Sequence, residues 1–274
     1  MLTITSRANR EDHEAIDQRE FEELNPNLGK QKKFVVITAR VHPGETVASF
    51  IMEGFLKFIT GSSTEAAELR KRIVFKVVPM TNPDGVIVGN YRTSLSGNDL
   101  NRQFLTPNPK LHPVIHNIKK LLGKINERAK EPEPIASFVD IHGHSRKKSI
   151  FMYGPSYPLH SVKYFKMRVL PKLLDAKSEV FRYYSCKFKV EKSKLRAARV
   201  VVNREFNVMA CFTLEASMYG YIAQDRATKE LTPDLLKTHG ADLGVCFSQY
   251  SDVVEDEARV KAKIRSQITK KKEK

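Results

Sequence analysis

Features that would direct a chain into a membrane or an oxidising compartment are missing from this sequence. No apolar run approaches the ~20 residues that a membrane-spanning helix needs. The first residues lack the long apolar region of a secretory signal peptide. Cysteine occurs only at Cys186, Cys211 and Cys246, without a CxxC pair, so we expect buried structural thiols in a reducing compartment. These absences predict a cytoplasmic protein.

Acidic side chains are scarce relative to basic ones. The 274 residues carry a formal net charge of +16 at pH 7, which favours acidic partners. Part of the excess lies near the C-terminus, and we interpret residues 256–274 as a basic tail on a single domain of residues 1–255. With 41% hydrophobic residues and no internal repeat, this domain can bury a sizeable core. Because basic–aromatic interleaving and nucleic-acid motifs are absent, we do not expect nucleic acid as a partner. The lack of a long apolar run argues against a membrane.

Apolar runs alternate with amphipathic segments along the chain. Five runs predict strands, in addition to a short strand at the N-terminus: 34–41, 73–79, 137–142, 149–153 and 210–215. Helical spacing predicts four helices: about 46–59, 112–129, 161–174 and from Pro233 onward. Residues 7–33 and 82–108 are interpreted as long loops. The alternation indicates an α/β fold whose mixed, mostly parallel sheet is covered on both faces.

His42 and Glu45 lie three residues apart in a His-Pro-Gly-Glu motif directly after the first long run. The Pro-Gly pair predicts a turn that ends the strand, where open α/β sheets bind their ligands. His142 ends a later strand. Two imidazoles and a carboxylate are the protein ligands of a catalytic zinc ion, whose fourth position is left to water. His144 lies on the same face of that strand, and spacing alone does not exclude it as a ligand.

A metal-dependent hydrolase also needs a base, a cation for the developing oxyanion and groups that hold the substrate. Glu215 ends an apolar strand and is the candidate base, with a strand-end ion pair as the alternative. Arg92 has the charge to polarise a carbonyl, and Asn101 and Arg102 have the geometry to hold a carboxylate. Asp99 is a candidate acceptor for the second N–H of a ligating imidazole.

Six motifs, taken in order, resemble those of the zinc metallocarboxypeptidases, and within them the cytosolic carboxypeptidase branch. They lie at 42–45, 82–85, 90–92, 99–102, 140–148 and 213–217. The resemblance covers about residues 1–250 and implies an α/β sandwich around a mixed eight-stranded sheet. Members of this branch shorten polyglutamate or remove C-terminal residues from tubulin and other acidic-tailed proteins. The resemblance therefore implies a carboxypeptidase with one zinc ion, acting as a tubulin deglutamylase at microtubules or cilia.

Position by position, the resemblance also implies a role for each site residue. The zinc ligands are His42, Glu45 and His142, the base is Glu215, the carbonyl-polarising arginine is Arg92, the terminal-carboxylate pair is Asn101 with Arg102, and the carboxylate behind the first ligand is Asp99. The family residue that sets side-chain preference precedes the base, in a basic run of this chain. The resemblance therefore points to Arg199 as this residue and to Arg196 as the second choice. The alternative is that the basic run is simply a solvated strand or turn.

The chain departs from the family pattern in two places. Members of this branch usually carry a β-sandwich domain before the catalytic one, whereas this chain opens on the first catalytic strand. We therefore expect a fragment, a short isoform or a minimal member. The substrate-capping tyrosine of the wider family has no motif-anchored equivalent, so none is assigned.

Three functions remain open at this stage. The first is a zinc carboxypeptidase for acidic C-termini. The second is a zinc amidohydrolase or deacylase that acts on small N-acyl acidic amino acids. The third is a non-catalytic basic module that binds microtubules. A complete set of ligands and base argues against the third, because a structural metal needs no neighbouring base. The Asn101–Arg102 pair fits a peptide C-terminus, but it fits a small carboxylate as well.

Overall fold

The predicted strands form one mixed sheet in the computed structural model, which describes residues 1–6, 32–129 and 133–255. The strands of this sheet are β1 (Leu2–Ile4), β2 (Lys33–Ala39), β3 (Ile73–Val78), β4 (Ile135–His144), β5 (Ile150–Tyr153) and β6 (Ala210–Ser217). Their order across the sheet is β1-β3-β2-β4-β6-β5. β2 pairs in parallel with β3 and β4, and β4 with β6. The edge strands β1 and β5 run antiparallel. Because β2, β4 and β6 run in the same direction, their carboxyl ends meet at one edge of the sheet.

The α/β class and the mixed, mostly parallel sheet are confirmed, but the strand number is not. The resemblance implies eight strands, whereas the sheet has six in the described part of the chain. Two further strands, β7 (Tyr221–Ile222) and β8 (Thr228–Lys229), pair with each other and with no other strand among the residues described. At two residues each, they close a small hairpin and do not extend the main sheet.

Helices cover both faces of the sheet. They are α1 (Val47–Ile59), α2 (Thr64–Arg72), α3 (Pro83–Ile87), α4 (Pro113–Arg128), α5 (Val162–Lys177), α6 (Ala198–Glu205) and α7 (Pro233–Glu255). Side chains of α1, α5 and α7 pack in one core with alternate residues of the strands, such as Ile37 and Leu214. The alternate set on the other face, such as Val36 and Phe138, packs with α4 and α6. The alternation follows from the two-residue period of a strand.

Close packing of α1 against α7 fixes the helix that follows the His-Pro-Gly-Glu motif. A Cβ atom at Gly54 would collide with the backbone of Lys237, and one at Gly240 would collide with the backbone of Ile51. The glycines therefore let the two helices approach at backbone distance. This contact anchors α1, which directly follows the loop that carries the first two candidate ligands.

The predicted helices and strands are found within a few residues of their predicted bounds, but α2 and α6 were not predicted. Residues 82–108, predicted as a loop, contain α3 and a 3₁₀ turn at Leu100–Arg102. Most of the predicted loop at 7–33 and the basic tail at 256–274 lie outside the described residues. Within the described residues, none of the helices combines the length and apolarity that a bilayer crossing requires.

Candidate metal centre and active-site cleft

The loop between β2 and α1 carries His42 and Glu45. Arg40 adopts a left-handed backbone conformation (φ 57°) directly after β2, which turns the chain out of the sheet. Its guanidinium donates to the Pro43 carbonyl at 2.7 Å and to Ser49 Oγ at 2.6 Å. These bonds tie the turn to the first turn of α1, so both candidate ligands are held on a braced loop.

Three side chains converge at the carboxyl ends of β2 and β4. One ligand atom from each of His42, Glu45 and His142 lies within 4.8 Å of the others. Nδ1 of His142 lies 3.2 Å from Nδ1 of His42 and 3.1 Å from Oε2 of Glu45. Nδ1 of His42 lies 2.7 Å from Oε1 of Glu45. Tetrahedral zinc with bonds of ~2.0–2.1 Å separates neighbouring ligands by about 3.3 Å, so the cluster has the size of a zinc site.

The far nitrogen of each imidazole faces a carboxylate. Nε2 of His42 lies 3.0 Å from Oδ1 of Asp99, and Nε2 of His142 lies 2.6 Å from Oδ2 of Asp140. An imidazole that donates Nε2–H to a carboxylate carries its lone pair on Nδ1. Two such lone pairs 3.2 Å apart repel each other unless a cation lies between them. The donor set therefore fits a zinc ion bound through both Nδ1 atoms.

Negative potential dominates this cluster. Burial disfavours the charged form of Glu45, but the neighbouring imidazoles of His142 and His42 hold its pKa well below the usual range. Burial also disfavours the charged form of His142, yet Asp140 and Glu45 raise its pKa well above the usual value. The same potential favours a dication between the imidazoles.

Gly143 allows the ligand loop to approach β4. Its N–H donates to Oε2 of Glu45 at 2.8 Å. A Cβ atom at this position would lie 3.0 Å from side-chain atoms of Glu45 and of Val47. A larger residue would therefore press the Glu45 carboxylate away from the imidazoles.

Glu215 lies directly opposite His142 in the pairing of β4 with β6. The half-buried side chain lines a cleft of about 540 Å³ together with the three candidate ligands. Burial raises the pKa of Glu215 to about 7, against the lowering effect of His142. A carboxylate with such a pKa exchanges protons readily near neutral pH.

Arg92 lies at the mouth of the cleft beside the metal centre. Its Nε and Nη2 atoms are 3.0 and 2.8 Å from Oδ2 of Asp99, and its Nη1 atom is 3.9 Å from Oε1 of Glu45. Nη1 of Arg102 is 4.0 Å from the same Asp99 oxygen. Burial opposes ionisation of Asp99, but its hydrogen bond with His42 and the two arginines hold its pKa well below the usual range.

Asn101 and Arg102 also line the cleft, and each makes hydrogen bonds within the protein. Oδ1 of Asn101 accepts from the backbone N–H of Ala198 at 2.9 Å, and Nδ2 lies 3.3 Å from Nε2 of His142. Nη1 of Arg102 donates to the Asn101 carbonyl at 2.8 Å. Asn101 thus connects the beginning of α6 with the metal centre.

Arg199 lies in the same cleft, on a helix rather than on the strand or turn that was the alternative interpretation. The side chain is buried, and its guanidinium carbon lies 5.5 Å from the ring centre of Tyr153. Its Nε atom and the hydroxyl of Thr213 are both buried without a hydrogen-bond partner among the described residues. Arg196 is exposed and does not line the cleft.

Several residues in or directly behind the cleft were missed by sequence reasoning. Asp140 and Thr213 each lie two residues before a predicted site residue, so strand alternation was the signal that could have found them. A basic rim of Arg146, Lys187 and Lys189 also lines the cleft. Among the described residues, no carboxylate forms an ion pair with this rim. Lys187 and Lys189 lie in an irregular segment, which gave no periodic signal.

His144 lines the cleft but is not a member of the metal-ligand cluster. Its Nδ1 atom accepts hydrogen bonds from the backbone N–H groups of Arg146 and Lys147, at 3.1 and 3.0 Å. Its ring packs edge-on against Phe151, with ring centres 5.2 Å apart. In the described part of the chain, the only cluster with metal-ligand geometry consists of His42, Glu45 and His142.

Sequence comparison finds relatives of this chain among the zinc carboxypeptidases. The profile of the zinc carboxypeptidase family (Peptidase_M14) matches residues 1–158. Cytosolic carboxypeptidase 4 of Homo sapiens is 45% identical over 206 residues, which are 70% of this chain and 18% of that protein. Cytosolic carboxypeptidase 2 of Xenopus tropicalis is 37% identical over 255 residues, which are 87% of this chain and 26% of that protein. The chain thus spans about a quarter or less of the length of these relatives.

Solved structures share the fold. A metallo-carboxypeptidase from Burkholderia cenocepacia matches with a TM-score of 0.70 and 24% identity, over 82% of this chain and 58% of that one. A metallo-carboxypeptidase from Pseudomonas aeruginosa, in complex with (2-guanidinoethylmercapto)succinic acid, matches with a TM-score of 0.69 and 23% identity, over 83% of this chain and 60% of that one. At these identities, the likeness shows a carboxypeptidase-like α/β fold and no more.

Proposed function

Because the chain belongs to the zinc carboxypeptidase family, we propose that it removes C-terminal residues, above all glutamate, from acidic protein tails. The observation that carries the proposal is the meeting of a His-Glu-His cluster, a candidate base and several cations in one cleft. A metal site with a purely structural role needs none of these neighbours.

His42, Glu45 and His142 would hold the zinc ion, and three protein ligands are the number that a catalytic zinc site uses. When bound, zinc supplies a Lewis acid that lowers the pKa of water and polarises a carbonyl group. The Asp99 and Asp140 carboxylates keep both imidazoles in the tautomer that offers Nδ1.

Glu215 would act as the general base and then as the acid. It takes a proton from the attacking water as the water oxygen adds to the scissile carbonyl carbon. It then gives that proton to the leaving nitrogen as the C–N bond breaks, so proton and charge balance over the cycle. A pKa of about 7 suits both steps.

Arg92, Asn101 and Arg102 would orient the substrate. Arg92 is the candidate donor to the carbonyl oxygen as negative charge develops there, and its half-exposed guanidinium is free to leave Asp99. Arg102 and the amide of Asn101 would receive the terminal carboxylate, which restricts cleavage to the end of a chain. When the substrate binds, each of these three side chains would replace a hydrogen bond within the protein by one to the substrate.

Arg199 and Thr213 would form the pocket for the terminal side chain. Both present buried polar atoms without a partner among the described residues, and such atoms are costly unless a ligand satisfies them. A glutamate side chain supplies a carboxylate for the guanidinium and an acceptor for the hydroxyl. The basic rim of Arg146, Lys187 and Lys189 would face the substrate residues that precede the terminal glutamate.

Glutamate-rich tubulin tails are the substrate that we propose, with the cytosol as the compartment and microtubules or cilia as the location. The curated relatives are named cytosolic carboxypeptidases, and the net charge of +16 suits an acidic polymer. Because small N-acyl acidic amino acids offer the same carboxylates, N-acetylglutamate is the competing substrate in assays. Cleavage of N-acetylglutamate in preference to a glutamate-ended peptide would overturn the proposal in favour of a deacylase.

Replacing Arg199 tests the proposed side-chain pocket. Arg199→Ala should lose about 2–5 kcal/mol of transition-state stabilisation on Glu-ended peptides, because the substrate carboxylate then lacks its buried partner. This corresponds to a fall in kcat/KM of roughly 30- to several-thousand-fold. Ala-ended peptides should lose far less, as measured by product mass at several substrate concentrations.

Arg196→Ala is the matched control, since this arginine is exposed and lies three residues earlier. It should retain the preference for Glu-ended peptides. An equal loss on Glu- and Ala-ended peptides in Arg199→Ala, or no loss on either, would remove Arg199 from the pocket.

A further inference from the structure

Side chains on one face of the sheet form successive rows across β2, β4 and β6. The first row is apolar: Val36, Phe138 and Cys211. The next row is polar, because Thr38 pairs with Asp140 and Asp140 with Thr213. One step further along β4 and β6, His142 pairs with Glu215. The polar row therefore lies between the core and the metal centre.

Two members of the polar row are linked by a direct hydrogen bond. The Thr38 hydroxyl donates to Oδ1 of Asp140 at 2.7 Å, and the other oxygen of Asp140 lies 2.6 Å from Nε2 of His142. All three side chains are almost fully buried. Asp140 forms no ion pair with Lys or Arg within the described residues, so its charge acts on His142 with little screening.

The imidazole of His42 has a different environment from that of His142. Asp99 behind His42 is 19% exposed, whereas Asp140 behind His142 is 2% exposed. Arg92 and Arg102 also form ion pairs with the Asp99 carboxylate. A substrate that draws these arginines away from Asp99 would change the charge that the Asp99 carboxylate presents to Nε2 of His42. The carboxylate behind His142 takes no part in this exchange, because Asp140 forms no ion pair with either arginine among the described residues.

We propose that Asp140 is a positioning residue, oriented by the Thr38 hydroxyl, that fixes the ring of His142 and sets how tightly the site holds zinc. The proposal rests on the zinc site of the proposed function. Oδ2 of Asp140 accepts Nε2–H and thereby directs the Nδ1 lone pair into the cluster. The hydroxyl of Thr38 occupies Oδ1 and prevents the carboxylate from rotating away.

Zinc affinity, measured by competition with a chromophoric chelator, tests this chain of bonds. Asp140→Asn should lose roughly 10–100-fold in affinity, as expected for loss of a carboxylate behind a metal-bound imidazole. Thr38→Val keeps the shape but removes the hydroxyl and should lose a smaller, measurable part of that affinity. Thr38→Ser restores the hydroxyl and should restore zinc affinity. The recovery separates the hydrogen bond from packing.

A double variant tests whether Thr38 acts through Asp140. If it does, Thr38→Val together with Asp140→Asn should bind zinc no more weakly than Asp140→Asn alone. The cobalt(II) absorption bands should shift in both single variants, since they report ligand geometry without activity. Should Asp140→Asn fail to fold, the comparison of Thr38→Val with Thr38→Ser still decides the question.

Ser137→Ala is the control for loss of a buried hydroxyl on the same strand. Its Oγ donates to the Ala210 carbonyl at 2.8 Å, remote from the metal ligands, so zinc affinity should not change. Wild-type affinity in both Asp140→Asn and Thr38→Val would overturn the proposal. A wild-type chain that binds no zinc would instead overturn the proposed function itself.

Discussion

Glu215→Gln should bind zinc as the wild-type chain does and lose at least ~10²–10⁴-fold in kcat, the usual value of a positioned general base. The amide has the shape of the carboxylate but does not accept a proton from water. Glu215 is not a member of the donor cluster, so the metal content should be unchanged. Metal analysis and peptide turnover on the same sample check both parts of this expectation.

A carboxylate remote from the cleft provides the control for Glu215→Gln. Glu53 lies on α1, where it forms an ion pair with Lys237 at 2.8 Å. Glu53→Gln should therefore keep full turnover, because exposed ion pairs contribute little. Turnover of Glu215→Gln within a few fold of wild type would exclude Glu215 as the base.

His42→Ala should abolish zinc binding, and with it hydrolysis. The substitution removes one of three donors and leaves the Glu45 and Asp99 carboxylates facing each other without the imidazole between them. His144→Ala should retain the metal, since Nδ1 of His144 is occupied by two backbone N–H groups. Zinc content after gel filtration distinguishes the two variants. Equal loss of zinc in both would show that the ligand set is wrong.

Local signals in the sequence were sufficient for most of the sheet. The apolar runs of β2, β4 and β6 are each flanked by turn or loop residues, and these strands were predicted within a few residues. By contrast, α6 was not recognised, because Val200, Val201 and Val202 favour a strand in isolation. Val201 and Val202 pack with α4 against the sheet, and this tertiary contact outweighs the local preference.

The polar row shows what sequence alone could not supply. Asp140 was part of a recognised motif, yet its contact with His142 depends on a shared face of β4 and on burial. Its partner Thr38 lies on another strand, so only the register of β2 against β4 brings them together. Arg199 illustrates the same limit. Its position in the cleft depends on where α6 begins, beside Asn101.

A peptide that ends in glutamate provides the most direct measurement of the central claim. The purified chain should release the terminal glutamate from the free acid, as read by product mass, and should leave the same peptide with an amidated C-terminus intact. The terminal carboxylate is what Asn101 and Arg102 would recognise. Chelator should stop the reaction and added zinc should restore it. Release that persists without metal, or equal cleavage of the amidated peptide, would contradict a zinc-dependent carboxypeptidase.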